Sequence, residues 1–225
     1  MSDSALLLGW FAVFVFSVTL HEAAHAWVAK RGGDLTAYSI GQVSLNPIPH
    51  MRREPFGMLL LPVISLFAVG WPIGYASAPF DPGWAERHHK RAAIMALAGP
   101  VSNLLVAIFS LLTIYIGLSA GIFYWGPQDY AQIVTAVDGS MLKGFATLLS
   151  MLLAMNLLLF VLNIMPIPPL DGSSAIPLFL NTRQTQRYRE IIHQPVVSMV
   201  GILLIFMSIK YIFPPVYSLA IRILY

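Results

Sequence analysis

Apolar residues run almost unbroken over positions 5–29, 56–76, 92–118, 141–162 and 195–225, and polar residues collect in the gaps. A run of about 20 apolar residues, at roughly 1.5 Å rise per residue, matches the roughly 30 Å hydrocarbon core of a bilayer. The pattern predicts an all-α polytopic membrane protein, a helical bundle of about four to six transmembrane segments. The 56–76 run is different, because Pro62, Gly70, Pro72 and Gly74 interrupt it. Helix breakers at membrane depth are tolerated where the backbone is buried in protein or lines a cavity, so this run is predicted to be re-entrant or half-embedded. Before it, Tyr38 to Leu45 reads as strand or irregular structure, closed by Asn46-Pro47-Ile48-Pro49-His50. The last run is interrupted at Pro214-Pro215, which predicts a helix over 195–213 followed by a tail or a second piece. The longest polar stretches are loop-sized, so residues 1–225 are expected to form one membrane-embedded domain.

Composition supports this class and removes others. Only 10% of residues are charged and the mean hydropathy is +0.73, where a soluble domain is about a quarter charged. A sequence pI near 9.3 could suggest nucleic acid, but the 13 Lys and Arg sit mostly in loops between apolar runs. That is how topology signals are distributed, and no nucleic-acid partner is expected. The N-terminal lead has no basic residue, so the first run reads as a retained transmembrane helix and not as a cleaved signal. Without cysteine, any metal must be held by His, Asp or Glu.

The candidate chemistry lies at the end of the first apolar run, in His21-Glu22-Ala23-Ala24-His25. On a helix, His21 and His25 are about 40° apart around the axis and Glu22 about 60° from His25. Two neutral imidazoles on one face can share Zn2+, a third ligand leaves one position open for water, and a nearby carboxylate can take that water's proton. Six His and four Glu in this chain predict an HExxH about 0.003 times by chance. The plainer alternative is a polar pair at a helix end satisfied by water, but ionisable groups following an apolar run are costly and usually functional.

The basic residues predict where a third ligand can come from. Lys30, Arg31, Arg52, Arg53, Arg87, Lys90, Arg91, Arg183, Arg187 and Arg189 can all lie on the cytoplasmic side if the first helix enters with its N-terminus outside. Residues 56–76 must then dip in and return. Helix 92–118 goes out, helix 141–162 comes back, and Asp171 arrives at the depth of His21 and His25. By itself Pro-Leu-Asp-Gly is ordinary turn chemistry; the matching depth makes Asp171 the candidate ligand. Asn103 is a candidate oxyanion donor or a helix–helix hydrogen-bonding group. His50 is a candidate gating group or a solvated loop histidine, and His88, His89 and His193 read as surface groups.

With these residues the chain resembles the site-2 proteases, intramembrane zinc metalloproteases of peptidase family M50. The resemblance is carried by His21-Glu22-Ala23-Ala24-His25, by Ala98-Gly99-Pro100 with Asn103, and by Asn163 through Gly172. It is similar to the compact branch without PDZ or CBS domains, in which an Asn-Pro…His element follows the first helix, as in Asn46 to His50. The resemblance implies that His21, His25 and Asp171 bind one zinc ion per chain, that Glu22 is the catalytic acid/base, and that Asn163 helps to position substrate. It implies transmembrane protein substrates cut in or near their helices, a lipid-bilayer setting, and a bacterial cytoplasmic membrane with the active site toward the cytoplasm; homo-oligomerisation is left open. The other readings are a divalent-cation transporter, which would need ligands along several helices, and a catalytically silent scaffold of the same fold, which would typically lack Glu22 or a ligand.

Overall fold

The computed structural model describes residues 3–138 and 140–224. Among these, four helices are long and apolar enough to cross a membrane: α1 (Asp3–Gly32), α6 (His89–Ser119), α7 (Met141–Ile164) and α10 (Pro195–Arg222). The chain is an integral membrane protein. Between α1 and α6 lie the short helices α2 (Thr36–Ser39) and α3 (Pro47–Arg53), a π-helical turn (Phe56–Leu60) running into α4 (Leu61–Val69), and α5 (Pro82–Arg87). A hairpin of β1 (Tyr124–Asp129) and β2 (Gln132–Thr135) joins α6 to α7. After α7 come α8 (Asp171–Ala175) and α9 (Thr182–Ile192).

The core is made by α1, α6 and α7. Trp10, Val13 and Phe14 of α1 pack with Ile114 of α6 and with Met151, Leu153 and Met155 of α7, all buried. Helices meeting in lipid gain from close packing and interhelical hydrogen bonds more than from hydrophobicity. The buried Ser17, Asn103 and Asn156 fit that expectation, since each sits on a different helix of this trio.

The 56–76 run does not span. Its helix ends at Val69, where Gly70 caps it in the left-handed conformation at φ 73°. Fourteen helical residues from Phe56 to Val69 cover only about 21 Å, short of a bilayer core. The chain then returns extended along the same helix. Ile73 N donates to Ser65 Oγ (2.7 Å), Tyr75 N to Gly57 O (3.1 Å), and Ser77 Oγ to Glu54 Oε1 (2.6 Å). Residue 77 therefore ends beside residue 54, and both flanks of the element lie at one end of the bundle. Gly57 makes the contact possible, because a Cβ there would stand 2.2 Å from Tyr75 O.

Three local expectations are refined. The strand-or-irregular stretch before residue 56 holds turns and two short helices, with no strand among its described residues. Asn46-Pro47 begins a helix where closure of a strand was expected: the Asn46 side chain accepts from Ile48 N at 3.0 Å and Pro47 occupies the first helical position. The strands lie instead at 124–135. Finally, α10 continues through Pro214-Pro215 to Arg222.

Candidate active site

Helix α1 carries His21, Glu22 and His25, all buried, about two turns before its basic end at Lys30 and Arg31. Asp171 opens α8, immediately after the loop that leaves α7. Although 150 residues separate them in sequence, His21 Nε2 lies 3.0 Å from Asp171 Oδ2. His25 Nε2 is 3.3 Å from the same oxygen and 3.0 Å from His21 Nε2. The edges of a tetrahedron with zinc–ligand bonds of about 2.0–2.1 Å are about 3.3 Å, so the three atoms stand at nearly the spacing of ligands on one ion.

The outer ring nitrogens fix which lone pairs are available. His25 Nδ1 donates to Met95 O at 2.7 Å, and a carbonyl can only accept. His21 Nδ1 donates to Asn103 Oδ1 at 2.6 Å. Both Nε2 atoms therefore present lone pairs to the Asp171 carboxylate, and three acceptors face one another. A cation among them, a metal ion or a proton, relieves that repulsion. As a ligand, Asp171 must be ionised. Gly99 of α6 forms the floor: a Cβ there would lie 2.4 Å from both His21 Nε2 and His25 Nε2. Two imidazoles, a carboxylate and a side-chain-free floor fit a zinc ion.

A cavity of about 1020 Å3 opens from this cluster. Glu22, His25 and Asp171 line it, the returning segment contributes Ala76 and Phe80, and α9 contributes Arg189. Among the described residues no hydrogen bond holds the Glu22 carboxylate, so it is free to serve the cavity. Helix α9 is started by a capping box of Asn181 and Gln184 and is fastened to α8 by Tyr188 Oη donating to Ser173 O at 2.8 Å.

Not all candidate residues meet here. Asn103 is fully buried and touches His21. Asn163 donates to Leu159 O of its own helix at 3.0 Å and is not among the cavity-lining residues. His50 is buried, not solvated; its Nε2 lies 3.1 Å from Ser44 O and it does not line the cavity. His89 and His193, read as surface groups, line the cavity, and His193 is exposed. The sequence reading missed three contributors: Gly99 as the floor, Met95 O as the partner of His25, and Asn156, which holds Asn103. Gly99 was visible as part of the Ala98-Gly99-Pro100 motif but not as a floor, and Asn156 as a polar amide within an apolar run.

Comparison with known proteins identifies relatives of this chain. The family model described as "Peptidase family M50" matches residues 9–208. A Bacillus subtilis protein named "Putative zinc metalloprotease YwhC" is 32% identical over 178 residues, covering 76% of this chain and 71% of the relative. A Mycolicibacterium smegmatis protein named "Putative zinc metalloprotease Rip2" is 32% identical over 184 residues, covering 81% of this chain. This chain spans 59% of that relative's length. No solved structure matches significantly.

Proposed function

This chain belongs to peptidase family M50 and is a zinc metalloprotease, and from that premise we propose that it is an intramembrane endopeptidase that cuts peptide bonds in or near the transmembrane helices of other membrane proteins. The observation that carries the reading is the meeting of His21 Nε2, His25 Nε2 and Asp171 Oδ2, with Glu22 opening onto the same cavity inside a membrane-spanning bundle. His21, His25 and Asp171 are the proposed ligands of one zinc ion per chain. Zinc held by these residues would make a bound water more acidic, toward a pKa of about 7, and would polarise the scissile carbonyl.

The protein's own groups do the rest. Glu22 accepts a proton from the attacking water as the new C–O bond forms. It gives that proton to the departing amine nitrogen as the C–N bond breaks. Both amide hydrogens of Asn103 face protein acceptors, Asn156 Oδ1 and Ser17 O, which leaves Asn103 no free donor for substrate. A transmembrane helix must unwind before its peptide bonds are accessible, and Ala76, Ser77 and Ala78 of the returning segment line the cavity. Their free edge suits an unwound substrate strand, which would add to it through backbone hydrogen bonds. With the basic loops on the cytoplasmic side, the cavity opens toward the cytoplasm from a bacterial cytoplasmic membrane.

The test is to purify wild type and Glu22→Gln, measure bound zinc, and assay a panel of single-span substrates. Zinc retained with cleavage lost supports Glu22 as the acid/base beside an intact metal site. Equal cleavage by both proteins would sink that role.

A further inference from the structure

Behind the cluster, facing away from the cavity, a chain of buried amides crosses all three core helices. Asn103 of α6, Asn156 of α7 and Ser17 of α1 are fully buried. Asn103 Oδ1 accepts from His21 Nδ1 (2.6 Å), and Asn103 Nδ2 donates to Asn156 Oδ1 (2.9 Å) and to Ser17 O (3.4 Å). Asn156 Nδ2 donates to Leu152 O and to Ser17 Oγ, each at 2.9 Å.

The direction of this chain is set at its far end. Leu152 O and Ser17 O are backbone carbonyls and can only accept. The Asn156 NH2 must therefore face Leu152, which turns Asn156 Oδ1 toward Asn103. That oxygen and Ser17 O together demand the Asn103 NH2, which turns Asn103 Oδ1 toward His21. His21 must then carry its proton on Nδ1 and present the Nε2 lone pair to the cluster. If either amide were reversed, it would leave buried donors facing donors and acceptors facing acceptors, at a cost of about 1–3 kcal/mol for each unmet group.

We propose that Asn103 and Asn156 are positioning residues that act in series to fix the tautomer and ring orientation of His21, and that Asn103 is not a substrate-binding group. This rests on the assignment of His21 as a zinc ligand. Partners that hold a ligating histidine are typically worth 10–100-fold in metal affinity. Asn156, which reaches the metal site only through Asn103, should share part of that effect and none beyond it.

The experiment measures zinc affinity by chelator competition and the visible band of the Co2+-loaded protein, for detergent-purified wild type, Asn103→Leu, Asn156→Leu, the double variant, Ser17→Ala and Asn163→Leu. Melting temperature is followed in parallel for the metal-free proteins. Expected is a 10–100-fold loss of zinc affinity with an altered Co2+ band in Asn103→Leu, and a smaller loss in Asn156→Leu. The double variant should be no weaker than Asn103→Leu alone, a non-additivity diagnostic of one pathway. Asn163→Leu should keep wild-type affinity. Ser17→Ala, the mildest change, should lose a few-fold and serves where a leucine variant does not fold. Wild-type affinity in Asn103→Leu, Asn156→Leu and Ser17→Ala alike would overturn the proposal, as would losses that simply add in the double variant. A wild-type protein that binds no zinc would overturn the ligand assignment itself, which is a separate result.

Discussion

Helices α7 and α10 are almost equally apolar, yet they occupy opposite positions in the molecule. Of the most apolar stretch of α7, 61% is buried inside the protein, against 11% for α10. In water such similar segments would both seek the interior. In lipid the tails are as apolar as leucine, so hydropathy puts a helix in the bilayer without saying where in the bundle it lies. What separates the two is polar and small residues at interior spacing. Thr147, Ser150 and Asn156 of α7 are buried, whereas most of α10 presents exposed residues such as Leu203, Phe206 and Met207. The interior helices hold the site, and α10 reaches it at one tight point: a Cβ on Gly201 would fall 1.7 Å from Pro168 O, in the loop that leads to Asp171.

The contrast can be tested by graded substitutions. The largest effect is expected from His25→Ala in α1, which removes a ligand; zinc binding should be lost and kcat/KM should fall at least about a thousandfold. A chelator-induced drop in melting temperature, present in wild type because zinc binds only the folded site, should vanish in this variant. Next is Gly99→Ala, whose new methyl would press on both Nε2 atoms. Zinc affinity should fall by tenfold or more while the far-UV spectrum stays helical, and an unchanged affinity would refute the role of Gly99 as the floor.

Gly201→Ala decides whether α10 matters to the site. If its contact with Pro168 sets the position of the Asp171 loop, activity should drop severalfold with little loss of helix content. Wild-type activity would make α10 a bystander. The smallest effects belong to a stability pair. Met151→Ala in the buried heart of α7 should cost about 2 kcal/mol or more through lost packing. Leu203→Ala in α10, where the side chain is 61% exposed, should stay within about 0.5 kcal/mol. Both are read from unfolding in mixed micelles, and equal costs would erase the distinction between interior and peripheral helices.

Much of the site was legible in the chain itself. HEAAH carries its own geometry, because residues at i, i+1 and i+4 on a helix lie within about 100° of one another. The depth of Asp171 followed from counting basic loops, and the return of residues 71–77 to Glu54 supplied the re-entrant element that this count required. Less visible were groups whose role lies in what they lack or in their backbone. Gly99 matters through a missing Cβ, and Met95 through a carbonyl that every residue possesses. Asn46-Pro47 was legible in principle as an N-cap and first helical position, but the same pair also ends strands.

The sequence by itself determined the solvent, the family resemblance and the chemistry available, because hydropathy, charge placement and a five-residue motif are local properties. Only the tertiary structure decided which apolar helices enclose the site. It also oriented the side chains: Asn103 turns its oxygen to His21 because Asn156, 53 residues away, turns its own oxygen to Asn103. Such choices depend on acceptors contributed by other helices, and no local pattern in the chain records them.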